Sequence, residues 1–295
     1  MTRAVRFGLY SIGIGVAVLA TKFAAWWVTG SVALYSDALE SIINIVAACA
    51  ATLALWISSR PADADHPYGH GKAEYISAVL EGVMIILAAL SILRAAYDGF
   101  LNPAPIDAPF LGMLINAAAT AANGIWATVL VRAGRAARSP ALVASGKHLY
   151  TDVFTSGGVL LGFALVPLTG WIWLDPALAA LVALNILWSG AGLVRESLGG
   201  LMDAAPDRET LARLRGIISA TAEGAIEVHE LRVRHVGHVT FLECHVVLPG
   251  DMPLRQAHAI SDRIEEALRV EVENAVVTIH MEPEEEVQQR GVLVL

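Results

Sequence analysis

Apolar positions fall in six long blocks rather than in narrow stripes: 8–28, 31–57, 75–98, 110–132, 142–167 and 171–194. About 20 such residues make a helix that crosses roughly 30 Å of hydrocarbon, so each block predicts a membrane-spanning helix. The first block is too long for a signal peptide, and the second follows almost without a gap. Pro167 is expected to end the fifth. After about Pro206 the pattern changes. Residues 207–222 have helical spacing, 226–236 and 239–248 alternate around a Gly237-His238 turn, 253–270 are helical again, and 274–281 read as a strand. That αββαβ order predicts a small sheet with helices on one face. The expected division is a six-helix membrane domain over 1–205, a compact α+β domain over 206–285 and an acidic, frayed tail over 286–295.

Composition agrees with a membrane chain. Of 295 residues, 56% are hydrophobic and only 16% charged, against about 25% charged in a soluble domain. The mean hydropathy is +0.58. A net charge of −8 leaves no basic excess for phosphates, which argues against nucleic-acid binding. The charge is uneven: residues 1–200 are neutral, and the remainder carries the whole −8. Two cysteines, Cys49 and Cys244, suggest neither a disulfide framework nor a thiolate zinc site. Arg3, Arg6, Arg60, Lys72, Arg132, Arg135, Arg138, Lys147 and Arg195 fall on one side of the six spans. Lys22 and Arg94 alone fall on the other, near helix ends where they can snorkel. Basic loops face inward, so both termini and the C-terminal domain are expected in the cytoplasm.

Ionisable groups inside a membrane span are expensive and mark function by default. Span two carries Asp37, Glu40 and Asn44; span five carries His148 and Asp152; span three carries Glu81. Glu40/Asn44 and His148/Asp152 are each spaced i,i+4, which puts each pair on one helix face. Facing each other, the two helices offer two carboxylates, an imidazole and an amide oxygen, a set suited to a borderline dication such as Zn²⁺. An internal salt bridge or a hydrogen-bonded packing pair is the plainer reading of one helix alone. Two helices with the same spacing favour metal. Asp37 draws cations to the mouth, caps its helix or, as the least favoured reading, is itself a ligand. Glu81 is a proton carrier, a neutral hydrogen-bonded acid or a cavity-lining residue, with the last preferred.

Histidines outside the spans form two groups. The loop 61–74 gathers Asp63, Asp65, His66 and His70; Asp63 with His66 and His70 makes a compact candidate metal set, although such loops are as often merely polar. Six of the nine histidines lie in the C-terminal domain. His229 and His245 fall on neighbouring strands and His280 on the last, with Glu282 two residues on and facing the same way. Three histidines and a glutamate on one small sheet favour a metal site. His235 and His238, beside the turn, read as solvated.

The stretches KFAAWWVTGS (22–31), SDALESIIN (36–44), HPYGHGKAE (66–74), HLYTD (148–152), HELRVR (229–234) and TIHMEP (278–283), in that order, resemble the cation diffusion facilitators, particularly the bacterial zinc and ferrous-iron efflux type. The likeness covers essentially the whole chain. It implies a homodimer in the cell (inner) membrane, an α-helical membrane protein with six transmembrane helices per subunit and a C-terminal α+β ferredoxin-like cytoplasmic domain. It implies export of a cytoplasmic divalent metal in exchange for external protons, the metal acting as substrate and regulator. The transport site would fall on Glu40, Asn44, His148 and Asp152, and the loop site on Asp63, His66 and His70. The cytoplasmic-domain site would use His229, His245, His258, His280 and Glu282, and a charge interlock between subunits would use Lys72 and Asp203. The second helix departs from the family's pattern, in which Asp or His is followed by Asp. Glu40 is longer and Asn44 neutral, so the site should lean toward harder ions. Zn²⁺ is the first expectation, with Fe²⁺, Mn²⁺ and Co²⁺ gaining weight.

Two other function classes compete. A non-transporting membrane metal sensor or scaffold would not need liganding groups inside the spans. A membrane metallohydrolase needs a general base and a substrate pocket; Glu81 is the spare carboxylate, and no HExxH is present. The expected protein is a transporter and not an enzyme.

Overall fold

The structure, a computed structural model, describes residues 3–29, 32–101, 110–171, 173–288 and 292–293, without some side chains inside helices, among them those of 32–40 and 159–168. The chain divides into two compact units, Met1–Leu198 and Gly199–Leu295.

The first unit holds six helices where the apolar blocks predict them: α1 (Arg3–Thr29), α2 (Val32–Ser58), α3 (Ala73–Leu101), α4 (Phe110–Ala136), α5 (Pro140–Thr169) and α6 (Leu174–Leu201). Helix α5 runs through Pro167 to Thr169 rather than ending at the proline, which a final helical turn tolerates in a membrane bundle. Large apolar side chains point outward, with Trp188 84% exposed and Trp27 and Ile125 similarly bare, the surface a lipid-facing bundle presents. Among the described residues, Arg3–Ala24, Ala73–Leu101 and Pro176–Leu201 are long and apolar enough to cross a membrane by length and composition.

The interior of this unit is built from small residues: Ala78, Ala89, Ala127, Ala141, Ala144 and Ala183 are fully buried. Without water to squeeze apolar surfaces together, close backbone approach holds membrane helices. Gly146 shows it. A Cβ there would lie 2.6 Å from Val131 Cγ2 and 3.1 Å from the Ala127 carbonyl oxygen. Helix α4 thus meets α5 backbone to backbone, half a turn before His148.

The second unit follows the αββαβ order. Helix α7 (Arg208–Thr221) is capped by Asp207, whose Oδ1 accepts the Thr210 amide at 2.9 Å. That bond holds the Asp207 carboxyl below the usual range. Strands β1 (Glu227–Val236) and β2 (Val239–Leu248) form an antiparallel hairpin. Its turn needs Gly237, at φ 59. Helix α8 (Leu254–Glu271) crosses over to β3 (Ala275–Pro283), which lies parallel to β2. Leu214 and Ile218 of α7, Ile264 and Leu268 of α8, and Leu242 and Val246 of β2 share one core between helices and sheet. Burial in this core pushes the Cys244 thiol up to about 11, which keeps it an inert packing group.

The chain end corrects one expectation. Residues 292–293 form β4, pairing Val292 with Val228 and Leu293 with Glu227 on the free edge of β1. The acidic run stops at Glu286, and the apolar pair Val292-Leu293 can satisfy part of an open strand edge.

Leu268 is fully buried, so Leu268→Ala should cost about 2–5 kcal/mol. Urea unfolding followed on the C-terminal domain's signal measures it; a loss below about 1 kcal/mol would mean that α8 is not docked as described.

Candidate metal centres

The first centre joins α2 to α5. Asn44 Nδ2 donates to Asp152 Oδ2 in a short contact, and Asn44 Oδ1 lies 2.9 Å from His148 Nε2. An ionised carboxylate only accepts, which fixes the amide orientation. Asn44 Oδ1 then faces the imidazole, and His148 Nε2 carries the hydrogen and donates. One amide therefore bridges both members of the α5 pair. His148 and Asp152 are buried. To bind a cation here, the Asn44 amide must release Asp152 and turn its oxygen to the ion, and His148 must give up its Nε2 proton, so metal and proton compete for the same atoms. The side chains of Glu40 and Asp37 lie outside the described residues; Glu40 belongs to the α2 turn preceding Asn44.

Beside this cluster is a cavity of about 30 Å³, lined by Asn44, Glu81, Asn123, Ser145 and His148 among others. Glu81 is therefore a cavity-lining residue, as preferred from sequence. It is also hydrogen-bonded, since Ser145 Oγ donates to its Oε1 at 2.7 Å.

The second centre is the α2–α3 loop. Asp63 Oδ1 accepts the amides of His66 at 2.7 Å and Asp65 at 3.1 Å. The His66 amide, aided by the charge of His70, holds the Asp63 carboxyl below its ordinary range, so it is ionised at neutral pH. Gly69, at φ 82, turns the chain so that its amide reaches the His66 carbonyl. His66 Nδ1 and His70 Nε2 each lie 3.5 Å from an Asp63 oxygen. Liganding atoms of all three residues fall within 4.8 Å of one another. The Asp65 side chain is not in this group. Lys72 precedes α3, and its carbonyl accepts the Tyr75 amide at 3.1 Å.

The third centre is a row of histidines across the sheet. His229 of β1 is the register partner of His245 of β2, which is the partner of His280 of β3. Ring centroids are 5.4 Å apart in the first pair and 4.9 Å in the second. Glu282 is the hub. Its Oε1 accepts from His245 Nδ1 at 2.7 Å and lies 3.8 Å from His280 Nε2, while Oε2 is 3.1 Å from His229 Nε2. His229 is buried, yet neither of its ring nitrogens makes a hydrogen bond, and neither does Glu282 Oε2. Buried polar atoms are nearly always paired, so His229 Nε2 and Glu282 Oε2, 3.1 Å apart, converge as a cation's ligands would. His229, His245 and Glu282 offer atoms within 4.8 Å of one another.

A bulge makes this row possible. Val228 and Val233 both face the helix-side core, which strict alternation forbids at odd separation. The extra residue at Glu230, with φ 50, shifts register between His229 and Arg232. Val233 can then enter the core while His229 faces the other side.

His258 does not join the row. It lies on α8, 69% exposed, 3.8 Å from Asp262. Helix α8 packs on the core face, and the histidines occupy the opposite one. Asp203 accepts from Arg234 Nη1 at 3.2 Å within its own chain. His238 is exposed, but His235 is not simply solvated: its Nδ1 is 3.0 Å from Thr240 Oγ1 across the hairpin.

Sequence reading missed two carboxylates. Glu74 of α3 is buried and accepts from Ser58 Oγ at 2.8 Å and, in a short contact, from Ser139 Oγ. It ties the α2 end and the α5 start to α3. Glu227 is fully buried 3.5 Å from His229 Nδ1, placed as carboxylates that orient metal-ligating imidazoles are. Its i,i+2 spacing to His229 on one strand was the available signal.

Residues 8–202 match the model of the cation efflux transmembrane domain, and 206–284 that of the cation efflux protein, cytoplasmic domain. An uncharacterized transporter of Synechocystis sp. is 41% identical over 280 residues, covering 95% of this chain and 90% of that protein. The cation-efflux pump FieF of Cronobacter sakazakii is 31% identical over 282 residues, covering 94% and 92%. Among solved structures, the metal-bound C-terminal domain of the CzcD transporter from Thermotoga maritima aligns with 28% of this chain and 100% of that one, at 26% identity and a TM-score of 0.25. Matched along both of its units, with candidate cation ligands buried between two of its helices, the chain belongs to the cation efflux family of membrane transporters and is not an enzyme.

Proposed function

We propose that this protein exports a divalent cation from the cytoplasm in exchange for protons. Zn²⁺ is the first choice, and Fe²⁺, Mn²⁺ and Co²⁺ are alternatives. What supports export is the buried Asn44–His148–Asp152 cluster between α2 and α5. In the inward-open state the ion enters the cluster, with Glu40 as fourth ligand, and expels protons from the donor atoms. Helix movement then opens the site outward. There protons reload His148 and a carboxylate and displace the ion, and the protonated carrier returns. The protein works as a homodimer in the inner membrane with both termini cytoplasmic. The loop set (Asp63, His66, His70) and the sheet set (His229, His245, His280, Glu282) bind the same metal as a regulator. His258 cannot reach the row of its own sheet and is open to a second copy of the chain. In a dimer interlock, Lys72 would share the Asp203 carboxylate with Arg234.

The test is zinc flux into liposomes holding the purified chain, with a pH dye on the same side. Zinc accumulation matched by proton counterflow is expected. Zinc movement without proton movement overturns the exchange. No movement of any of the four ions favours a membrane metal sensor, which the two clusters outside the spans would equally serve.

A further inference from the structure

We propose that the cavity beside the α2–α5 cluster is a second cation position, with Glu81 as its charged ligand, occupied by the divalent ion on its way to or from the cluster. This builds on the export reading. Glu81 projects from α3 and is only 3% exposed. Ser145 satisfies one carboxyl oxygen, while Oε2 is buried without any hydrogen bond. The cavity it lines is shared with Asn44 and His148, so it adjoins the first centre. No lysine or arginine is among its described lining residues. A carboxylate oxygen sealed from water and unpaired is strongly disfavoured. Protonation of the carboxyl or a guest in the cavity relieves it, and about 30 Å³ admits one water-sized particle.

A dication suits the chemistry better than a proton alone. Asn44 is neutral, so Asp152 is the single carboxylate of the described cluster. Glu81 brings a second negative charge to the same space, and Asn123 adds a neutral amide oxygen. An imidazole with oxygen donors fits borderline and harder divalent ions.

Glu81→Gln keeps the size of the side chain and an acceptor for Ser145, and removes only the charge. Two readouts are taken on the purified full chain: zinc uptake into liposomes, and zinc binding by equilibrium dialysis in detergent. E81Q should raise the KM for zinc about tenfold or more and weaken binding alike, with elution unchanged and metal-free melting no lower than wild type. Returning a charge to the same cavity as the double variant Asn44→Asp/Glu81→Gln should recover most of that loss. An unchanged KM and isotherm for E81Q overturns the proposal. So does a loss that Asn44→Asp fails to rescue, which would make Glu81 a packing group. A variant that keeps its zinc affinity but stops proton counterflow would make it a proton carrier instead. If the wild type moves no zinc, the export reading fails, and the dialysis comparison alone decides the role of Glu81.

Discussion

Asp152→Ala will abolish zinc transport, lowering the uptake rate by about a hundredfold or more. Asp152 is the cluster's described carboxylate, and it orients Asn44, which in turn holds His148. Truncation removes a charged ligand and leaves a half-buried amide without its acceptor, a stability cost of about 1 kcal/mol. Asp152→Asn separates the two effects. It preserves shape and can still accept from Asn44, but carries no charge, so transport should fall nearly as far while the chain keeps its melting temperature. His148→Ala should behave like Asp152→Ala, since the imidazole is the cluster's nitrogen donor. Uptake above about a tenth of wild type in both alanine variants would remove this cluster from the transport path. Asn44→Asp is the complementary change. A second carboxylate next to Asp152 should raise affinity for zinc and alter the rank order among Zn²⁺, Fe²⁺, Mn²⁺ and Co²⁺. An unaltered order would mean that Asn44 does not set selectivity.

The fold was legible because two different hydrophobic periods are written into one chain. Uninterrupted blocks marked α1 to α6, and alternation marked β1 to β3, with the Gly237 turn supplying the one conformation its hairpin demands. The i,i+4 pairs were legible for the same reason: helical spacing alone puts His148 and Asp152 on one face. Partners chosen by tertiary packing were hidden. Nothing near Ser139 or Ser145 says that their hydroxyls reach Glu74 and Glu81, more than 60 residues earlier. The bulge at Glu230 was hidden too, because a residue in the left-handed region leaves no strong mark when it is a glutamate. His258 was placed with the others only by the resemblance, and the helix that carries it packs on the side of the sheet opposite its own chain's histidine row.

Withdrawing zinc will loosen the cytoplasmic domain, and Glu282→Ala will make the domain indifferent to zinc. Without a cation, His229 Nε2 and Glu282 Oε2 face each other 3.1 Å apart without a hydrogen bond, an arrangement that disfavours the folded state. A cation that binds only the folded site adds about 2.7 kcal/mol at a hundred times its Kd. For a domain of about 80 residues, this raises the melting temperature on the order of 10 °C. Glu282 contacts all three histidines of the row, so its removal takes away the shared oxygen ligand and the zinc response together. His238→Ala is the control, because that side chain is exposed at the hairpin turn. The melting of the full chain, followed on the signal of this domain with zinc or with a chelator, gives the answer. Zinc needs the lone pairs that protons would occupy, so its stabilising shift must shrink as pH falls. A Glu282→Ala chain that still gains the full shift, or a wild-type shift that grows toward acid, would mean that the histidine row holds no metal.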